Sequence, residues 1–82
     1  MLVNIYVKPH CPACNQAKRL MKKKGIEFTE APFTDEVLEF AKKRGFSQAP
    51  VTTVYHVGDT VNDVAAWDGF RPDRINKLAE EQ

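Results

Sequence analysis

The strongest constraint on the fold is an apolar strand that leads into an amphipathic helix, with two cysteines at the junction. Leu2–Val7 is rich in β-branched and aromatic residues and predicts a strand. Pro9 then ends the strand, because proline cannot donate to a sheet ladder. Apolar residues follow at helical spacing. They are Ala13, Ala17, Leu20 and Met21.

A second strand and a second helix are predicted next. Ile26–Glu30 alternates apolar and polar residues, and Pro32 ends this strand. Thr34 can cap a helix that Gly45 closes. The expected buried face of this helix comprises Val37, Leu38, Phe40 and Ala41. Strand, helix and strand form a βαβ unit, so the first two strands should be parallel.

The C-terminal part of the chain predicts a hairpin and a last helix. Ala49–Tyr55 is a third strand, and Val61–Trp67 returns as a fourth, antiparallel strand, although Asn62 and Asp63 weaken its start. The last helix begins at Pro72. Its apolar residues are Ile75, Leu78 and Ala79. The order is β-α-β-α-β-β-α, an α/β fold in a single domain over residues 1–82.

Composition excludes several classes of function. The chain has 82 residues, with 12 Lys and Arg against 11 Asp and Glu, so no nucleic-acid or anionic membrane partner is expected. No segment reaches the roughly 20 apolar residues of a membrane span. The N-terminus lacks the basic region of a signal peptide. With only two cysteines, the composition fits a reducing compartment, and we expect a cytoplasmic protein.

Cys11 and Cys14 form a Cys-x-x-Cys pair at the strand-to-helix junction, which predicts a thiol–disulfide exchange centre. A disulfide that closes so short a loop contributes little to stability. Unpaired N–H groups at a helix N-terminus favour a thiolate. Cys11, at the helix start, is therefore the predicted nucleophile, and Cys14, one turn further in, the resolving thiol. Pro12 suits and stiffens the first turn.

The sequence leaves two questions open at this motif: whether Lys8 and His10 support the thiolate, and whether the cysteines bind a metal. Lys8 and His10 can add cationic support to the thiolate, or they can be ordinary exposed residues. Either His10 or His56 could join the cysteines in binding zinc, but structural zinc commonly uses two clustered ligand pairs and no second pair exists. An iron–sulfur cluster shared between two subunits is a further alternative. We expect no metal and no cofactor.

The chain resembles the NrdH-type glutaredoxin-like redoxins of the thioredoxin-fold superfamily over nearly its whole length. Three segments carry the resemblance: Lys8–Cys14, with the sequence KPHCPAC; Gly45–Val51, with the sequence GFSQAPV; and Trp67–Ile75, with the sequence WDGFRPDRI. The first motif is shared with many redoxins. The last, which precedes the C-terminal helix, is much more specific to this family.

The resemblance implies a fold, a reductant and an acceptor. The fold is the thioredoxin/glutaredoxin fold, with a four-stranded mixed sheet in the order 2-1-3-4 flanked by three helices. Members of the family take electrons from thioredoxin reductase rather than from glutathione. They pass them to a class Ib ribonucleotide reductase. A monomer without a cofactor of its own is the expected form.

The resemblance also implies further site residues. Pro50 maps onto a cis-proline that faces the cysteines, and its neighbours Ala49 and Val51 border the edge on which an extended substrate segment pairs. Four residues of the last motif stand where glutathione-dependent glutaredoxins hold the tripeptide, and we expect them to face protein partners. They are Trp67, Gly69, Phe70 and Arg71. For Trp67 and Phe70, core packing is the alternative.

The chain departs from the family pattern in two places. Sixteen residues, Val51–Ala66, separate Pro50 from Trp67, which is more than is usual. Asp68 replaces the usual serine, and its carboxylate would oppose a thiolate if it faced the cysteines. The predicted function is a dithiol electron donor to a protein disulfide. The alternatives are a glutathione-dependent glutaredoxin and an iron–sulfur-bridged redoxin dimer.

Overall fold

The computed structural model describes residues 1–61 and 63–81, and its helices and strands follow the predicted order. The seven elements are β1 (Leu2–Val7), α1 (Pro12–Lys23), β2 (Thr29–Pro32), α2 (Asp35–Lys43), β3 (Val51–Tyr55), β4 (Ala65–Asp68) and α3 (Pro72–Glu80). The strands form one sheet in the order β2-β1-β3-β4. The predicted four-stranded α/β fold with three helices is confirmed.

The direction of the strands brings three segments to one end of the sheet. β1 is parallel to β2 and antiparallel to β3, and β3 is antiparallel to β4. In register, Tyr6 lies opposite Val51, and Val51 lies opposite Asp68. The end of β1, the start of β3 and the end of β4 are therefore neighbours. The two cysteines follow β1 directly and lie at this same end.

The core lies between the sheet and the pair α1 and α3. Val3 and Ile5 of β1 point to this face, at 2% and 0% exposure. The helices contribute Ala17, Met21, Ile75 and Leu78. Each large side chain buried here contributes about 1.5–3 kcal/mol of transfer free energy. This packing fixes α1, and with it the cysteine pair at its N-terminus, against the sheet.

The opposite face of the sheet lies under α2. Side chains alternate between the two faces of a strand, so Tyr6, Thr53 and Tyr55 point away from the core of α1 and α3. Together with Val37 and Phe40 of α2 they line a groove. Only Ala41 of α2 is fully buried, and Leu38 is 40% exposed. The prediction that Leu38 belongs to the buried face is wrong, because α2 covers the sheet with a narrower stripe than the spacing suggests.

The helices α1 and α2 each end in a glycine cap. Gly25 has φ +74°, and its N–H donates to the Lys22 carbonyl at 3.1 Å, while the Ile26 N–H donates to the Met21 carbonyl at 2.9 Å. This pair of bonds is the Schellman motif, which favours glycine because its φ is positive. Gly45 ends α2 with the same φ and an equivalent pair of bonds. The predicted end of α2 at Gly45 is confirmed.

The start of α2 is also as predicted. Thr34 has extended backbone angles, and its hydroxyl accepts a hydrogen bond from the Val37 N–H at 3.2 Å. This satisfies one of the unpaired N–H groups of the first turn. Asp35 and Glu36 lie in that turn, where the helix dipole favours negative charge.

The second strand begins later than predicted. β2 starts at Thr29 rather than Ile26, because the Ile26 N–H is bound to the end of α1 and its side chain is 3% exposed in the core. Ile26 therefore belongs to the C-terminal cap of α1 instead of starting a strand. Pro32 is the last residue of β2, as expected.

The fourth strand is shorter than predicted. β4 starts at Ala65 rather than Val61, and the described residues between β3 and β4, 56–61 and 63–64, contain two turns. The Asp59 N–H donates to the His56 carbonyl, and the Asp63 N–H donates to the Thr60 carbonyl, both at 3.0 Å. Asn62, within the predicted strand, lies outside the described residues. In the part of the chain that is described, no helix has the length and apolar character of a membrane span.

Candidate active site

Cys11 and Cys14 are joined by a disulfide at the N-terminus of α1. Cys11 is the N-cap residue, with extended backbone angles, and Pro12 occupies the first turn as predicted. Cys14 lies inside the helix and is 2% exposed, whereas Cys11 is only partly buried. An approaching disulfide can therefore reach Cys11 and not Cys14. This difference supports Cys11 as nucleophile and Cys14 as resolving thiol.

The N-terminus of α1 supplies the positive field for a thiolate at Cys11. The Cys14 N–H donates to Cys11 Sγ at 3.0 Å, so the sulfur accepts a bond that a helix end otherwise leaves unmade. No acidic residue lies in the first turn of α1. The dipole of the helix and this N–H therefore favour a negative charge on Cys11 once the disulfide is reduced.

The Lys8 side chain contacts a ring rather than the sulfur. Its Nζ lies 4.8 Å from the centroid of the Phe33 ring, a cation–π contact at the end of β2. The Phe33 N–H in turn donates to the Val7 carbonyl. Direct support of the thiolate by Lys8 is therefore not seen in this oxidised form. His10 is exposed and has φ +55°, a left-handed conformation that turns the chain from β1 into the cysteine motif.

Pro50 borders the same end of the sheet. The Ala49–Pro50 peptide bond is cis, in agreement with the resemblance. Pro50 is buried, and its carbonyl accepts a hydrogen bond from the Gly69 N–H at 2.8 Å. Val51 is 0% exposed and pairs with both β1 and β4, so its side chain is not available to a partner. Of this segment, half-buried Ala49 presents the accessible surface.

Asp68 binds the segment before Pro50. Its Oδ2 accepts hydrogen bonds from the Ser47 N–H at 2.9 Å and from the Gln48 N–H at 3.0 Å. The side chain is 13% exposed, and Oδ1 lies 3.6 Å from Arg71 Nη2. The expectation that this carboxylate might oppose a thiolate required it to face the cysteines. Its observed contacts are with the loop and with Arg71 instead.

Trp67 is part of the core. Its side chain is 6% exposed, packs with the cluster of α1 and α3, and carries the Arg74 guanidinium 5.4 Å from its ring. The prediction that Trp67 faces a partner is therefore wrong. At residue 67, β4 points toward the helices that cover the core, and the large ring gains more by burial there than at the surface.

The three residues after β4 that were predicted to bind partners differ in their accessibility. Gly69 is buried with φ +75°, and a Cβ there would collide with the side-chain oxygen of Gln48. Phe70 is partly buried against the core and lines a shallow groove with Leu20 of α1. Arg71 is 53% exposed at its side chain, and its Nε donates to the Asp68 carbonyl at 3.2 Å. Phe70 and Arg71 thus remain accessible, and Gly69 does not.

Tyr6 lies beside the start of β3 and adds no charge there. Burial raises the pKa of its phenol, neighbouring Tyr55 raises it further, and a hydrogen bond with Thr53 partly offsets both. A phenol with a pKa above its ordinary value of about 10 is neutral at physiological pH.

Sequence reasoning did not find the contact between Asp68 and the loop of Ser47 and Gln48. The partners are 20 and 21 residues apart, and no local pattern links them. The one available signal was the departure from the family's serine at this position. For metal binding, no cluster of three or more His, Cys, Asp or Glu side chains occurs among the residues described.

A disulfide at the start of a helix, at the same end of the sheet as a buried cis-proline, is the arrangement of a thiol–disulfide oxidoreductase of the thioredoxin fold. Comparison with known proteins narrows this class. The glutaredoxin family profile matches residues 3–54. The glutaredoxin-like protein NrdH of Escherichia coli (strain K12) is 35% identical over 80 residues, which cover 95% of this chain and 89% of that protein. Glutaredoxin 3 of the same strain is 34% identical over 61 residues, covering 68% and 74% of the two chains.

A solved structure agrees with the sequence comparison. NrdH-redoxin from Escherichia coli, described as a glutaredoxin-like protein with a thioredoxin-like activity profile, superposes with a TM-score of 0.77 at 32% identity and 95% coverage of both chains. This chain belongs to the glutaredoxin family, among its glutaredoxin-like NrdH-type redoxins.

Proposed function

We propose that this chain is a cytoplasmic dithiol electron donor that is reduced by thioredoxin reductase and reduces a disulfide of class Ib ribonucleotide reductase. The observation that supports this most is the similarity to the NrdH protein of Escherichia coli over 95% of the chain. The thioredoxin-like activity profile described for that protein favours a flavoenzyme reductant over glutathione. The chain acts as a monomeric carrier and needs no cofactor of its own.

The first chemical step takes place at Cys11. After reduction, its thiolate attacks one sulfur of the partner's disulfide, forms a mixed disulfide and expels the partner's other sulfur as a thiolate, which takes up a proton. The helix N-terminus favours the attacking thiolate, because the Cys14 N–H points at Cys11 Sγ. Partly exposed Cys11 is reached from outside, whereas Cys14 is shielded at 2% exposure.

The second step releases the partner. Cys14 loses its proton and attacks Cys11 Sγ, which restores the Cys11–Cys14 disulfide and expels the partner's second thiolate. The Cα atoms are 5.2 Å apart in the disulfide form, within the range that a disulfide needs. In total, two electrons and two protons pass to the partner. Thioredoxin reductase then returns two electrons and two protons to the chain by the reverse exchange.

Docking of the partner is assigned to the surface around Cys11. Ala49 offers a main-chain edge beside Pro50, and Phe70 and Arg71 border the same end of the sheet on the other side. Phe70 lines a shallow groove whose other residues are Gln16, Arg19, Leu20 and Lys23. An extended segment on Ala49 would pair by main-chain hydrogen bonds, which tolerate different sequences.

A coupled assay tests this proposal. The oxidised chain is mixed with NADPH, thioredoxin reductase, a class Ib ribonucleotide reductase and its ribonucleotide substrate as the terminal electron acceptor, and steady-state NADPH consumption is measured. A parallel reaction replaces the reductase by glutathione and glutathione reductase. We expect NADPH consumption that requires both the chain and thioredoxin reductase, with Cys11→Ser as the inactive control. Consumption in the glutathione arm alone would contradict the proposal, and reduction of an artificial disulfide without activity on ribonucleotide reductase would reject the acceptor.

A glutathione-dependent glutaredoxin is the second candidate. It is favoured by the match to the glutaredoxin family profile and by 34% identity with glutaredoxin 3 over 61 residues. Against it stands the Gly69-Phe70-Arg71 segment, where the glycine is buried and Arg71 is paired with Asp68. The glutathione arm of the coupled assay decides between the two.

A further inference from the structure

The loop before Pro50 leaves the Ala49 main chain without a hydrogen-bond partner among the residues described. Among the residues described, the Ser47 and Gln48 N–H groups bind Asp68, and the Pro50 carbonyl binds the Gly69 N–H. The main chain of Ala49, between them, makes no such bond in that part of the chain. Unpaired main-chain groups at a strand start are a template on which another extended segment can pair.

Asp68 fixes the two N–H groups that precede Ala49, those of Ser47 and Gln48. Both loop bonds converge on one carboxylate oxygen, at 2.9 and 3.0 Å, and the side chain is 13% exposed. Hydrogen bonds to an ionised acceptor are stronger than neutral ones, and more so when shielded from water. The acceptor sits at the end of β4, which is paired with β3, so the loop is held against the sheet and not only against itself.

The second oxygen of Asp68 adds an ion pair. Oδ1 lies 3.6 Å from Arg71 Nη2, and Arg71 Nε also donates to the Asp68 carbonyl. The carboxylate therefore links the loop before Pro50 to the N-cap residue of α3. Serine, the usual residue here in the family that the chain resembles, has one oxygen and no charge, and cannot make both sets of contacts at once.

We propose that Asp68 is a positioning residue that holds the Ala49 main chain ready for an extended protein substrate, and so favours protein disulfides over small ones. This rests on the proposed dithiol–disulfide exchange at Cys11 and deepens it. A protein segment needs both the sulfur and the paired edge, whereas a small disulfide needs only the sulfur. Removing the carboxylate weakens the first reaction and leaves the second unchanged.

The test is a single-turnover comparison of two substrates. Pre-reduced protein is mixed in a stopped-flow instrument with excess insulin, as the protein disulfide, or with uncharged 4,4′-dithiodipyridine, as the small one. Asp68→Ala should lower the rate constant with insulin about tenfold, the equivalent of about 1.4 kcal/mol. The rate constant with dithiodipyridine should change by less than about twofold, since the field at Cys11 is unaltered.

Two variants separate positioning from a loss of folding. Asp68→Asn keeps an oxygen that accepts both N–H bonds, so most of the insulin rate should return. Asp63→Ala removes a carboxylate whose Oδ2 accepts a bond from Thr60 at 2.9 Å in the distant hairpin, and should leave both rates unchanged. If Asp68→Ala does not fold, Asp68→Ser replaces it, because its single hydroxyl lies one bond closer to the backbone.

Amide exchange gives an independent readout. In the wild type, the Ser47 and Gln48 amides should exchange slowly, and in Asp68→Ala they should exchange at the rate of an exposed loop. An equal fall of both substrate rates, or an unchanged insulin rate with unprotected amides, would overturn the proposal. Failure of the wild type to reduce either substrate would instead reject the exchange reaction at Cys11.

Discussion

The loops on the two sides of β3 are held in different ways. Before β3, the Ser47 and Gln48 amides bind Asp68, which is 20 and 21 residues away and 13% exposed at its side chain. After β3, the His56 amide binds the Asp59 carboxylate, which is three residues away and 28% exposed. Each loop has one carboxylate that accepts main-chain bonds. Only the first of them connects its loop to another strand.

This difference distinguishes the end of the sheet that carries the cysteines from the opposite end. A loop that is bound to a distant strand keeps its shape only while the whole sheet is formed. The connection after β3 is also bound to the C-cap residue of α2, since Arg44 Nη2 donates to the Val64 carbonyl at 2.7 Å. The bonds of its Asp59 carboxylate are local, however, and a local loop can change length at small cost, since loop-closure entropy grows slowly with length. The connection between β3 and β4 lies at the end of the sheet opposite the cysteines, so a change in its length should leave the cysteine site intact.

The largest effect is expected from the core beneath the active end. Ile75 of α3 is 0% exposed and packs in the cluster that holds α1 and β4. Ile75→Ala should lower the free energy of unfolding by about 2–5 kcal/mol. The matched control is Val57→Ala in the hairpin, because Val57 is 104% exposed and its truncation removes no packing. Denaturant titration of both variants measures their free energies of unfolding. Similar losses of stability in Ile75→Ala and Val57→Ala would refute the contrast between the core and the hairpin.

Substitution of two glycines, one at each end of the sheet, should have an intermediate effect on the free energy of unfolding. The two substitutions compare the two ends directly. Gly58 has φ +92° with open space around it, so Gly58→Ala should cost about 1–2 kcal/mol from backbone strain alone. Gly69 has φ +75°, and its new Cβ would also displace the Gln48 side chain. Gly69→Ala should therefore cost about 0.5–1.5 kcal/mol more, for an off-rotamer Gln48.

The Gln48→Ala background tests the origin of this extra cost. If Gln48 causes it, Gly69→Ala should become as mild as Gly58→Ala once the Gln48 side chain is removed. Urea unfolding of the single and double variants gives the coupling energy. If Gly69→Ala loses no more stability than Gly58→Ala in the wild-type background, the two ends of the sheet tolerate a new side chain equally well.

The smallest effect is expected at Asp59. Its bonds to His56 are local and exposed, so Asp59→Ala should lower the free energy of unfolding by only about 0.5–1 kcal/mol. The rate of disulfide exchange at Cys11 should not change. Thermal unfolding and the insulin assay measure both. A slowed exchange would mean that the hairpin and the cysteine end of the sheet are coupled, which contradicts the independence of the two ends.

Local sequence signals predicted most of the fold and the position of the two cysteines at the start of α1. Helix caps at Cys11, Thr34 and the glycines depend on neighbouring residues, and so does the asymmetry of the Cys-x-x-Cys pair. Where tertiary contacts decide, the predictions failed. Ile26 belongs to the C-terminal cap of α1 and enters the core, and Trp67 is buried because β4 turns that face toward α1 and α3.

The carboxylate of Asp68 could not be placed from the sequence for the same reason. The two strand residues Trp67 and Asp68 point to opposite faces, and their partners come from α3 and from the loop before β3. Which face each takes depends on the register of β4 with β3. That register starts four residues later than the hydrophobic pattern suggested.

The roles of the two cysteines are the central claim, and trapping the mixed disulfide tests them most directly. Cys14→Ser and Cys11→Ser proteins are each incubated with an oxidised protein substrate, and the products are identified by intact-mass spectrometry without reductant. Cys14→Ser should accumulate a covalent adduct through Cys11, which is reachable at the start of α1, because no resolving thiol remains. Cys11→Ser should form none, since Cys14 is 2% exposed. An adduct with Cys11→Ser and none with Cys14→Ser would contradict the account.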